Sequence, residues 1–121
     1  MDFLIAAITL VSLDSAYIYF MTDYFNNQIK LVQGSPISLN LFGAFICYIF
    51  IIFGLYYFII KRKRSVNDAF LLGMVVYAVY EFTNLATLKN WSIFTAIMDT
   101  IWGGVLFALT TGVVYKIDSI F

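Results

Sequence analysis

A carboxylate and a carboxamide three residues apart, Glu81 and Asn84, lie in a run otherwise apolar enough to cross a membrane: Tyr77-Ala78-Val79-Tyr80-Glu81-Phe82-Thr83-Asn84-Leu85-Ala86-Thr87-Leu88. At that spacing they share one face of a helix. A charged side chain near a bilayer centre costs at least roughly 2.5 kcal/mol, so such groups face a bundle interior and mark working positions. Two other apolar segments each carry one acid, Asp14 and Asp99. Carboxyl oxygens of this kind can ligate a hard cation, carry a proton, or act as a general acid and base on a bound molecule. The chain has no histidine, so near-neutral proton chemistry falls to these carboxylates.

The elements that must hold them are membrane spans. Of 121 residues, 63% are hydrophobic and only 12% charged, and the mean hydropathy is +0.92; a soluble domain carries about 25% charged residues. The apolar runs are long and uninterrupted, which favours helices over the alternating pattern of barrel strands. Four spans of about 20 residues use most of this length, so the expected fold is all-α. It is a single polytopic domain over residues 1–121, with four transmembrane helices in a bundle and a short interfacial amphipathic helix between the first two.

The first span is expected over residues 3–22. Met1-Asp2 has no basic n-region and no small-residue cleavage site follows, so the span is expected to be retained rather than removed as a signal peptide. Ala7, Leu10, Asp14, Tyr17 and Met21 share one face, with the Tyr17 hydroxyl near the level of Asp14 or at the water interface. Residues 24–35 repeat Phe25, Ile29 and Val32 at helical spacing, with Asn26, Asn27, Lys30 and Gln33 opposite, the pattern of a helix lying on the membrane surface. Gly34-Ser35-Pro36 ends it. It serves as a connector or as a lid over a site.

The second span, residues 38–60, has no charge. Its stripe of Asn40, Gly43, Cys47, Phe50, Gly54 and Tyr57 gathers small residues where another helix can approach. Cys47 is the lone cysteine and is read as a packing residue. Lys61-Arg62-Lys63-Arg64 then places this loop and both termini on the cytoplasmic side, where Lys116 adds another charge. Beside a span this tetrad is a topology signal rather than a nucleic-acid patch, so no nucleic-acid partner is expected. The third span, residues 67–88, puts Gly73, Tyr77, Glu81 and Asn84 on one face. The fourth, residues 91–115, does the same with Thr95, Asp99, Trp102, Gly103 and Thr110. The short link between them makes the two antiparallel neighbours. Gly104, Ala108 and Gly112 form a second small-residue stripe, suited to packing within the bundle or to self-association.

Counted from the end of the first span and from the turn at Lys89 and Asn90, the three acids lie roughly 12 Å deep in a hydrocarbon core about 30 Å thick. No Lys or Arg lies at that depth. Three ionised carboxylates would repel one another, so at least one must be protonated or a cation must sit among them. The site residues expected from this reading are Asp14, Glu81, Asn84 and Asp99, with Tyr17, Tyr77 and Trp102 around them. No metal, cofactor or catalytic residue is identified by the sequence.

In Leu13-Asp14, in Tyr80 to Leu88 followed by Trp91, and in Asp99-Thr100-Ile101-Trp102-Gly103, the chain resembles a family of small bacterial predicted membrane proteins catalogued as a domain of unknown function. The resemblance covers nearly the whole chain and is strongest between Asp68 and Leu106. It implies a four-helix inner-membrane protein and keeps the acidic site, while Glu81 and Tyr17 stand where the family pattern has aspartate and tryptophan. The connecting helix is also less basic than in the family, which removes the argument for an anionic partner there. The family's frequent neighbours, fatty-acid-modifying enzymes, point towards lipid chemistry.

Three functions follow. The first is binding or passage of a cation or proton by Asp14, Glu81 and Asp99, with Asn84 as a neutral oxygen ligand. The second is a membrane enzyme or accessory protein of lipid modification. The third is a structural protein whose acids hold the bundle. A polar path to both faces would mark transport, a dead-end cavity opening sideways would mark lipid chemistry, and a closed cluster would mark a structural role. The sequence favours a dead end, because the cytoplasmic half has few polar groups beyond Thr110.

Overall fold

The computed structural model describes residues 1–34 and 40–121. Among them every element is helical: α1 (Asp2–Phe20), α2 (Thr22–Gln33), α3 (Leu41–Leu55) continued by a π-helical turn (Tyr56–Ile60), α4 (Val66–Thr87) and α5 (Ile93–Ile120). Four of these are long and apolar enough to cross a membrane: α1, α3 with its π turn, α4 and α5. The helix between the first two is present as expected.

Local chemistry sets the boundaries. The chain breaks at Met21, and α2 begins at Thr22. At the far end of α2, Gly34 takes φ +81°, a left-handed conformation that glycine adopts without a Cβ clash, and donates its N–H to the Lys30 carbonyl. Ser35, Pro36 and the expected start of the second span at Ser38 lie outside the described residues. The Asn40, Ser65 and Ser92 side chains accept backbone N–H groups at the starts of α3, α4 and α5. The fourth span runs to Ile120 rather than ending at Tyr115. Its 28 residues measure about 42 Å, more than the hydrocarbon requires, so the helix continues past the point where its apolar character stops.

Two ends of the bundle can be told apart. Phe3 packs edge-on against Tyr56, and the Tyr115 hydroxyl donates to the carbonyls of Ile59 and Arg64. The chain start, the basic loop and the end of α5 therefore share one end, here the basic-loop end. The α4–α5 turn and α2 share the other, the hairpin end.

The tightest contact joins α4 and α5. A Cβ on Gly73 would lie 2.1 Å from the Gly103 carbonyl oxygen, and one on Gly103 would lie 2.3 Å from the Tyr77 ring. Gly73 lets its backbone meet that of Gly103, and Gly103 makes room for the Tyr77 ring. Gly104 belongs to the same interface, against Phe70 and Met74, so it is committed within the chain. Of the small-residue stripe, Ala108 and Gly112 alone line a shallow surface groove.

The second span packs differently from the sequence expectation. A Cβ on Gly54 would meet nothing within 4 Å, and one on Gly43 would meet only Asn40 in its own cap. Cys47 and Phe50 are exposed. Among the described residues, the small-residue stripe thus receives no helix at Gly43 or Gly54. The bulkier face carries the packing, with Ile52, Leu55, Ile59 and Ile60 buried in the core. Large branched side chains fill the space against α1 better than a stripe of small ones would.

Gly73→Ala should therefore destabilise the bundle by about 3 kcal/mol, the upper end of the overpacking range. Gly54→Ala should leave it unchanged or slightly firmer, because alanine is the better helix former. Unfolding in detergent followed by circular dichroism would compare the two; equal losses would contradict the described α4–α5 contact.

Candidate functional site

The helices α1 and α5 exchange two side-chain hydrogen bonds at one level. Trp102 Nε1 donates to Asp14 Oδ1 at 2.9 Å, and the Tyr17 hydroxyl donates to Asp99 Oδ1 at 2.6 Å. One turn separates the members on each helix, so the two bonds run in opposite directions across an antiparallel pair. The Tyr17 and Trp102 rings stack between them, 4.4 Å apart and 5° from parallel. Tyr17 thus serves Asp99 rather than Asp14, whose second oxygen accepts the hydroxyl of Tyr48 on α3. Bonds to an ionised or strongly polar acceptor are shorter and stronger than neutral ones, and all the more so at low dielectric.

Glu81, on α4, is 2% exposed. Its Oε1 accepts the indole N–H of Trp91 at 3.1 Å, and its carboxyl stands within hydrogen-bonding reach of Asp99. The three acids therefore share the expected level but divide two and one. Glu81 and Asp99 form a pair, and Asp14 is held separately by two aromatic donors. Among the described residues no group of three Asp, Glu, Cys or His side chains is arranged to hold a metal ion. Tyr77 lies beside the pair, with its ring over Gly103 and edge-on to Phe107. Asn84 sits a turn beyond Glu81, half-buried, and lines neither of the cavities that meet at the acids.

Those cavities flank Asp14 and Tyr77. The first, about 340 Å³, lies at the hairpin end beneath α2 and is walled by the three acids together with Tyr17, Trp91, Trp102 and the apolar residues Phe25 and Ile29 of α2. The second, about 440 Å³, fills the seam between α3 and α4, with Ala44, Cys47, Phe50, Ile51 and Val76 on its sides. Asp14, Tyr77 and Tyr80 belong to both. Phe50 and Tyr80 are 71% and 61% exposed on the flank of the bundle, so the seam cavity opens sideways. Towards the basic-loop end Ala6, Leu10, Leu106 and Phe107 close the interior with apolar side chains at most 1% exposed.

The roof over the first cavity is latched by polar side chains, with Gln28 making the most contacts. Gln28 is buried on α2, where its amide N–H donates to the Asn90 carbonyl at 2.9 Å. Its Oε1 accepts both the Ser92 N–H at 3.2 Å and the Thr95 hydroxyl at 2.8 Å. The Asn90 side chain returns a bond to the Leu31 carbonyl, and the Tyr24 hydroxyl lies 2.6 Å from Thr95 Oγ1. Helix α2 is thus held over the α4–α5 turn by polar contacts, with its apolar face turned onto the acids.

Sequence patterning misses Tyr48, Trp91 and Gln28. A signal exists for each. Tyr48 and Trp91 are polar-tipped aromatics that need a partner when buried. Gln28 falls between Phe25 and Ile29, on the face an amphipathic helix should keep apolar.

The fold defines an integral, multi-pass membrane protein, and its interior carboxyl groups accept hydrogen bonds from aromatic donors. The chain belongs to the family of predicted membrane proteins designated DUF2177, whose model matches residues 1–116. No curated protein and no solved structure matches it.

Gln28→Leu keeps the bulk but orphans the Ser92 N–H and the Asn90 carbonyl, a loss of about 1–3 kcal/mol. Hydrogen exchange should speed up locally, in α2 and at residues 90–95, while α4 and α5 stay protected. Unchanged protection of α2 would show that its apolar face alone holds it.

Proposed function

We propose that the protein takes an amphiphilic molecule from the bilayer through the seam between α3 and α4 and presents its polar group to the carboxyl pair of Glu81 and Asp99. The observation that carries this reading is the pair of cavities meeting at Asp14, Tyr77 and Tyr80, one opening on the flank and the other walled by acids. Binding sites for small amphiphiles are mostly apolar with a few converging polar groups, as here. Two carboxyls in hydrogen-bonding reach hold one proton between them, since two charges so close in a dry site would repel. Such a pair can give a proton to a bound polar group and take one back, which is acid and base catalysis in its simplest form. In this reading Trp102 and Tyr48 hold Asp14 by hydrogen bonds, and the aromatic side chains position the acids.

Passage of a cation or proton across the membrane needs a polar route to both ends. The apolar packing of Ala6, Leu10, Leu106 and Phe107 beyond the acids favours a dead-end site instead. A purely structural role for the acids does not account for two cavities meeting at them.

A photoactivatable phospholipid with a diazirine on its acyl chain tests the proposal in vesicles. Label should concentrate on α3 and α4 around Ala44, Cys47 and Val76, and Ala44→Phe should reduce it at least fivefold by filling the seam. Even labelling over all four spans, unaltered by that substitution, would refute the site. If instead the protein moves protons down a pH gradient and Glu81→Gln stops it, the transport reading replaces this one.

We propose also that the basic-loop end, with both termini, faces the cytoplasm, because Lys61, Arg62, Lys63, Arg64 and Lys116 lie there. In a Cys47→Ser background, Lys89→Cys should react with an impermeant maleimide from the external side. Labelling only after the membrane is broken would reverse the orientation.

A further inference from the structure

The chemistry facing the hairpin-end cavity has one sign. None of the chain's seven Lys and Arg residues lines it, while three carboxyl groups do. The indole N–H groups of Trp91 and Trp102 and the hydroxyl of Tyr17 are already spent on Glu81, Asp14 and Asp99. Besides the hydroxyls of Tyr77 and Tyr80, the lining offers a ligand carboxyl oxygen and aromatic rings, and the stack of Tyr17 on Trp102 leaves one face of each ring uncovered. A ring face is the negative pole of its quadrupole, and rings gathered around a small cavity recognise ammonium groups. The cavity volume of about 340 Å³ accommodates a headgroup of that size, and its wall at Tyr80 leads to the flank of the bundle.

Resting on the bilayer-amphiphile reading above, we infer that the hairpin-end cavity is a binding site for the ammonium group of a cationic or zwitterionic amphiphile. Ring faces and carboxyl oxygens surround the charge, and the apolar tail leaves towards the seam. The positive group supplies the counter-charge that the buried acids lack, since no basic side chain reaches them. Anionic headgroups are rejected by the same acids. The ammonium can belong to a bilayer phospholipid or to a free lipophilic amine, for the cavity recognises the chemistry the two share.

The test uses the whole chain in an uncharged detergent and reads the emission of Trp91 and Trp102, the two indoles of the protein, both of which wall the cavity. Dodecyltrimethylammonium, dodecanol and dodecanoate are titrated as probes of one chain length. The ammonium probe should bind at least tenfold more tightly than the alcohol, and the carboxylate least of all. Glu81→Gln and Asp99→Asn should each shrink the gap between ammonium and alcohol at least threefold. Displacement of the ammonium probe by phosphatidylethanolamine in mixed micelles would assign the site to a bilayer lipid; no displacement would assign it to a free amine.

Equal binding of ammonium and alcohol, with both weakened by Ala44→Phe, would overturn the ammonium assignment and leave the amphiphile site standing. Tightest binding of dodecanoate would overturn it too. Failure of all three probes to bind would overturn both.

Discussion

Carboxyl groups at mid-depth in a membrane must find hydrogen-bond donors within the protein, because the bilayer core supplies none. That requirement governs the arrangement of this chain. Asp14 and Asp99 are served across the α1–α5 contact by Trp102 and Tyr17, while Trp91 serves Glu81 from the turn that joins α4 to α5. Every one of these donors is aromatic. An indole or phenol buries a large apolar body while turning one polar atom to its partner, so it can serve an acid without adding a second charge to the interior. The reciprocal pair also fixes the register of α1 on α5, since sliding either helix by a turn would separate both bonds at once.

Around that register the remaining helices are placed unequally. Gly73 and Gly103 let α4 close onto α5 until their backbones touch, which carries Glu81 to Asp99. Helix α3 instead leans on α1 through Ile52 and Leu55 and reaches the acids with Tyr48 alone. The result is a bundle tight along one seam and hollow along another. A protein built only for stability would gain from filling the hollow with branched side chains, because dispersion contacts are lost at a void. Here the hollow meets the acids, which is why the proposed binding site is one reached from the side. Helix α2 lays Phe25 and Ile29 over the hairpin end of the first cavity.

The four spans, the connecting helix and the approach of Asp14, Glu81 and Asp99 to one another were legible in the sequence, because each depends on hydropathy and on counting residues from a boundary. The rotation of each helix about its axis was not. In water an apolar stripe points to the core, but a span that faces lipid is apolar all round, and its packing face leaves little periodic trace. For that reason the Gly43, Cys47 and Gly54 stripe read as a packing face although it lies open, and the partner of the Tyr17 hydroxyl, Asp99, could not be named. Gly73 and Gly103 were legible as small residues on the correct faces. Gln28 was hidden for a different reason: its partners are the Asn90 carbonyl and the Ser92 N–H, backbone groups whose position depends on the turn and not on residue type.

The carboxyl site, as proposed, opens to the bilayer and not to water. Quenching of Trp91 and Trp102 emission in vesicles measures this directly, with phospholipids brominated along the acyl chain against aqueous acrylamide. Strong quenching by the brominated lipids at mid-chain depth and little by acrylamide is the expected result. Strong quenching by acrylamide with little effect of the brominated lipids would contradict it.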